Sequence, residues 1–126
     1  MDAYFKSMIE MDRAPVVICN LDHIIIYMNP SAKKNYHKYN NGELVGTNLL
    51  DCHNARSCEI IKNVVAWFGE SVENNMIYTY YNEKKNVDEY MVALRDETGK
   101  LIGYYEKHEA RNHEGATRYD FTKSLV

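Results

Sequence analysis

The sequence predicts an α+β domain: a five-stranded antiparallel sheet with helices flanking one face, plus an N-terminal helix. Three observations predict it. Five short runs are rich in β-branched and aromatic residues and are bounded by turn residues. The helical segments that follow the first hairpin fall together between the second and third runs, the order of an α+β plan. The last three runs are separated only by short polar connections, which favours antiparallel pairing. At 126 residues the chain fits one domain with room for a substantial core.

Taken in order, Tyr4, Phe5, Met8, Ile9 and Met11 mark one face of a helix over residues 1–12. Arg13-Ala14-Pro15 ends it, because proline disfavours helix at the residue before it. A lone helix of this length is marginal in water, so it is expected to dock on its own domain or on a second subunit. Val16-Val17-Ile18-Cys19 and Ile24 to Met28 read as a hairpin across the turn residues Asn20-Leu21-Asp22-His23. Asn29-Pro30-Ser31 stops the second strand and starts a short helix over 31–39. Asn40-Asn41-Gly42 signals a loop, and residues 43–50 read as short turns.

The main helix carries Ile61, Val64, Val65 and Phe68 at i, i+3, i+4 and i+7, with Cys58 one turn earlier. Asn54 or Ser57 is the expected N-cap, and Gly69 is placed to end the helix. Strands are expected at 76–81, 87–94 and 101–108, the last two joined by Asp96-Glu97-Thr98-Gly99. Alternation in the last strand puts Ile102, Tyr104, Glu106 and His108 on one face, with Leu101, Gly103 and Tyr105 on the other. The charged stretch 110–126 has no apolar period and is expected to be flexible or to dock on a partner.

A net charge of −3 with mixed signs leaves no electrostatic footprint for nucleic acid or an anionic membrane. The longest apolar run, Ile24 to Met28, is far too short to span a bilayer, and the N-terminus lacks the pattern of a secretory signal. The expected location is therefore cytoplasmic, with Cys19, Cys52 and Cys58 as reduced thiols. Eleven tyrosines suit the lining of a mixed-polarity pocket or a dimer face. No nucleophile triad, phosphate loop or zinc-protease motif is present, so no enzyme is expected. Asp88, Glu89, Arg95, Asp96 and Glu97 read as surface and turn charges, and Glu106 with His108 as a solvated pair.

The densest chemistry lies in Asp51-Cys52-His53-Asn54 through Cys58, at the entrance to the main helix. One reading makes it the hinge and cap of that helix. The other makes Cys52 and His53 metal ligands, joined by Cys58 and one of His23, His37 or His108. Cys58 sits on the apolar helix face, where a thiol usually acts as a small buried hydrophobe. A helix N-terminus and the nearby Arg56 would both lower the pKa of Cys52 and open redox chemistry.

Three segments then carry a resemblance. Ala14 to Ala32, with its hairpin ending in Asn29-Pro30-Ser31-Ala32, resembles the opening of a PAS sensor domain. Glu43-Leu44-Val45-Gly46-Thr47-Asn48-Leu49-Leu50 is similar to the family's step before its long helix. Ala93-Leu94-Arg95-Asp96-Glu97-Thr98-Gly99-Lys100-Leu101-Ile102-Gly103-Tyr104 looks like its last hairpin. The resemblance covers residues 13–109 and implies a PAS-like sheet with a pocket between helices and sheet.

It further implies sensing of ligand, redox state or light, or dimerisation, in signal transduction or the regulation of transcription. Family members are commonly fused to an effector, and only sixteen residues follow Ala110. The expected partners are therefore a second copy of the chain or a separate effector protein. Flavin-binding members carry Gly-x-Asn-Cys-Arg-Phe-Leu-Gln; here Gly46-Thr47-Asn48 is followed by Leu49, which argues against a flavin adduct. Haem-binding members ligate iron from the long helix, but residues 57–69 hold no histidine, which leaves haem to His53 or Cys52.

Alternation and helix phase then give the expected pocket as Tyr27, Asn29, Tyr36, Leu50, His53, Ile61, Val65, Tyr80, Met91 and Tyr104. A one-residue slip in any strand would swap its face. The expected function is a small-molecule-sensing or interaction module. The alternatives are a structural dimerisation module without ligand and a haem- or metal-dependent sensor.

Overall fold

A computed structural model describes residues 1–122; the end of the predicted 110–126 tail lies outside the described residues. The helices are α1 (Asp2–Met11), α2 (Pro30–Asn35) and α3 (Ala55–Glu70), with 3-10 turns at Asn40–Gly42 and Leu49–Cys52. The strands are β1 (Val17–Asn20), β2 (Ile25–Met28), β3 (Met76–Asn82), β4 (Val87–Arg95) and β5 (Leu101–Ala110). They form one antiparallel sheet in the order β2-β1-β5-β4-β3. The expected fold class is observed.

One sheet face is the core face. Val17, Cys19, Ile25, Met28, Met91 and Tyr104 pack there against Ile61, Val64 and Phe68 of α3 and against Ala32, Leu44 and Leu49. The three buried residues of α3 follow the 3.6-residue period, so one stripe of the helix closes the core. The opposite face carries the row Tyr27, Ile18, Tyr105, Val92 and Met76, which runs across all five strands.

Register departs from strict alternation where bulges insert a residue. Leu94 opposes Gly103 and Arg95 opposes Leu101, so Ile102 is the extra residue of β5. Leu101 therefore packs on the core and Ile102 turns outward, 50% exposed, reversing the faces expected for this pair. Two helix ends also differ from expectation. Helix α2 stops at Asn35, with Tyr36 as its C-cap, rather than running to residue 39. Gly69 lies inside α3, which ends at the extended Ser71.

Beyond β5 the chain docks on its own sheet. The Arg111 amide donates to the Asn86 carbonyl at 3.0 Å. The Arg111 guanidinium donates to both carboxylate oxygens of Asp88, at 2.8 and 2.7 Å, and lies 4.1 Å from the centre of the Tyr81 ring. Among the described residues, no helix is long and apolar enough to cross a membrane.

Candidate functional site

The entrance to α3 is built from local caps. Asn48 accepts from the Leu50 amide at 2.9 Å and launches the 3-10 turn. Asn54 accepts from the Ser57 amide at 2.8 Å and starts α3, which makes it the N-cap. Between these caps His53 is extended, and its Nδ1 lies 3.0 Å from the Leu49 carbonyl. A carbonyl only accepts, so Nδ1 carries the proton and donates. The His53 Nε2 faces Glu106 Oε1 at 3.9 Å.

From there an alternating array of imidazoles and carboxylates runs along the core face of the sheet. Glu106 Oε2 lies 3.8 Å from His108 Nε2, and His108 Nε2 lies 4.0 Å from Glu89 Oε1. A cavity of about 280 Å³ opens between the start of α3 and β3, β4 and β5, lined by His53, Asn54, Ser57, Ile60, Ile61, Thr79, Tyr80, Glu89, Met91 and Glu106. Burial pushes the Glu89 carboxyl above the usual range; His108 opposes that shift and Glu106 reinforces it. A wider cleft of about 840 Å³ runs past Arg13, Lys34, Lys85, His108 and His113. Of the array, His53, Glu106 and Glu89 line the smaller hollow and His108 the wider one.

Of the ten expected pocket residues, His53, Ile61, Tyr80 and Met91 line this cavity. Leu50, Val65 and Tyr36 pack against the core beside it. Burial, with Glu106 and Glu89 nearby, holds the Tyr36 hydroxyl well above its ordinary pKa. Tyr104 is a core residue whose hydroxyl shares a 2.7 Å hydrogen bond with His23 Nδ1. Asn29 is fully buried, and its side chain is spent on backbone groups. Its Oδ1 accepts from the Val16 and Ala32 amides at 2.9 and 2.8 Å, and its Nδ2 donates to the Ile9 and Ala14 carbonyls at 3.0 Å each.

Tyr27 sits on the outer face, paired with Ile18. Its hydroxyl is enclosed beside Glu10, and burial with that carboxylate pushes its pKa up to about 12. The bulge between Ile18 and Cys19 in the β1–β2 register is the reason simple alternation misplaces it.

Three residues read as surface or solvated charges are not. Glu89 and Glu106 face the cavity, and the period-2 signal was present, since Glu89 alternates with Met91 and Glu106 with Tyr104. Arg95 reaches back to the end of α3, where its Nη2 donates to the carbonyls of Phe68 at 2.7 Å, Ser71 at 3.1 Å and Asn74 at 3.3 Å.

The thiols are quiet. Burial pushes Cys19 up to about 12. Cys52 is also raised, first by burial and then by Asp51, so the expected activation by the helix end is overridden. The Cys58 thiol donates to the Leu50 carbonyl at 3.2 Å. Cys52, His53 and Cys58 do not assemble a metal set. Among the described residues, the group of His, Cys, Asp and Glu close enough to share an ion is Glu89, Glu106 and His108. A haem does not fit this cavity, because a porphyrin needs more volume and would meet two carboxylates. Leu49, at the position of a flavin-reactive thiol, is buried in the core.

An antiparallel sheet closed on one side by helices around a small polar cavity defines a pocket-forming α+β domain. In particular, the chain has the PAS-type fold. The structure is similar to the C-terminal domain of a Streptococcus mutans protein, at 21% identity over 86% of this chain and 84% of that one, with a TM-score of 0.67. It is similar to the PAS domain of a Colwellia psychrerythraea protein, at 15% identity over 86% and 94%, with a TM-score of 0.62. It is also similar to a sensory box sensor histidine kinase from Vibrio cholerae, at 13% identity over 85% and 89%, with a TM-score of 0.52. No family model matches the sequence, and no curated protein matches it.

Proposed function

We propose that the chain is a sensory module of signal transduction that binds a small polar ligand between α3 and the sheet and acts as a homodimer. The observation that carries this reading is the convergence of His53, Glu106 and Glu89 on one cavity, with His108 within 4.0 Å of both carboxylates and each of the four side chains less than a fifth exposed. Such a cluster weakens a core unless something it binds compensates it. The cavity stands at the lower end of the size range of small-molecule sites, which suits a ligand of a few heavy atoms with polar groups. The sensor kinase among the similar structures supports a signalling role, and the reading assigns no catalytic step.

Native mass spectrometry of gently purified protein tests it. The expected result is a persistent small-molecule mass on the wild type that is lost in Ile60→Trp, which fills the cavity mouth from the exposed side of α3. Wild type without any adduct, and with no ligand stabilising it in a metabolite screen, would favour the second reading, a structural dimerisation module. The exposed apolar stripe of α1 supports that second reading.

A further inference from the structure

We infer that Glu89, Glu106 and His108 form a binding site for a divalent transition-metal ion beside the pocket. Sheet register brings them together. Glu89 opposes His108 on adjacent strands, and Glu106 precedes His108 by two residues, so all three share the core face. Their donor atoms lie within 4.8 Å of one another, with His108 Nε2 3.8 Å from Glu106 Oε2 and 4.0 Å from Glu89 Oε1. An ion bound at about 2.1 Å sets donors roughly 3.0–3.4 Å apart. The triangle closes on it by contracting about 1 Å or less at most edges, which rotation of two glutamate side chains can supply.

Charge gives a reason for an ion. The Glu106 and Glu89 side chains are 14% and 19% exposed, and among the described residues neither ion-pairs with a lysine or arginine. Lys85, which eases the charge on Glu89, has its ammonium on Asn35. A dication supplies positive charge to two little-exposed carboxylates that otherwise have only the imidazoles of His53 and His108 beside them.

The donor types select the ion. Magnesium and calcium sites are built from oxygens alone, whereas an imidazole beside carboxylates belongs to zinc and its first-row neighbours. His53 borders the site. Its Nδ1–H is held by the Leu49 carbonyl, and its Nε2 stands 3.9 Å from Glu106 Oε1, at the edge of the set.

This inference deepens the pocket reading, and the two fail separately. The full chain, without a histidine tag, is stripped with chelator and titrated with Zn²⁺ by calorimetry, with Mg²⁺ alongside. The expected result is one Zn²⁺ per chain, a higher melting temperature with Zn²⁺, and no response to Mg²⁺. Glu89→Gln and His108→Gln each weaken binding by more than the 10- to 100-fold typical of an outer-shell residue, while Cys52→Ser leaves it unchanged. Circular dichroism and metal-free melting of the variants establish that they fold. Absence of stoichiometric binding to the wild type, or its survival in the Glu89→Gln/His108→Gln double variant, overturns the inference. An organic adduct on a protein with no Zn²⁺ affinity would sink the ion and leave the pocket standing.

Discussion

At the scale of single residues, Asn29 joins more elements than any other side chain described above. It caps α2 by accepting from the Ala32 amide, holds the entry to β1 by accepting from the Val16 amide, and holds the end of α1 by donating to the Ile9 carbonyl. Asn29→Ala would strand buried donors and acceptors together, and a loss of about 3 kcal/mol is expected from the cap and the unsatisfied groups combined. Urea unfolding measures it; a loss under about 1 kcal/mol would show that these bonds are replaceable. Asn29→Asp should be worse at neutral pH, since its carboxylate would face the carbonyls that Nδ2 now serves, and should recover partly in acid.

Glu89 makes the opposite case. Its folded pKa is raised, so the folded state holds its proton more tightly than the unfolded chain does. Its contribution to stability therefore falls as pH rises from the unfolded value of 4.5 through the raised folded value. In chelated protein, Glu89→Gln should raise the melting temperature at pH 7 and flatten this part of the profile. A lower melting temperature at pH 7 would mean that the carboxylate is a structural partner. The sequence displays Glu89 only as one charge among several on a strand, because nothing local reveals that β5 sets His108 opposite it.

At the scale of elements, the end of α3 shows why a correct helix can carry a misread boundary. Gly69 is a plausible stop by composition, yet the carbonyls of the last turn are satisfied from 27 residues away by Arg95. A cation on those carbonyls also complements the negative end of the helix dipole. The guanidinium additionally reaches Gly99 and Asn75, tying helix, loop and hairpin turn together. Arg95→Ala should lose about 2–3 kcal/mol, and Arg95→Lys should recover only a minor part, because an ammonium cannot reproduce the planar fork. Full recovery in the lysine variant would reduce the role to charge alone. Strand pairing has a similar hidden constraint at Gly103, where a Cβ would stand 2.2 Å from the Cys19 carbonyl oxygen. Gly103→Ala should therefore push β1 away from β5 and cost about 3 kcal/mol or more. The runs and periods in the sequence located the eight α-helices and strands of the described residues, whereas the bulges that decide facing come from long-range pairing and left no local mark.

At the scale of the whole molecule, the sheet order follows from the first hairpin joining the last strand, which no local pattern announces. The acid–imidazole cluster rests on the β4–β5 register, which the bulge at Ile102 shifts, so the architecture was more legible than the site. One surface remains to be placed. Tyr4, Phe5, Met8 and Met11 of α1 are between 56% and 79% exposed, and α1 is anchored only near its C-terminal end, through Ile9 and Asn29. Burying four such side chains from each of two copies would contribute roughly 1.5–3 kcal/mol apiece. Association costs on the order of 4–15 kcal/mol, so the stripe can sustain a dimer if most of it is covered. A helix of ten residues gains little stability from its own hydrogen bonds, and a contact that covered this stripe would add to it. The wild type should therefore sediment as a dimer at tens of micromolar. Phe5→Asp/Met8→Asp should sediment as a monomer with an unchanged sheet signature in circular dichroism and reduced protection of the α1 amides. If the wild type is already monomeric at that concentration, the homodimer is wrong.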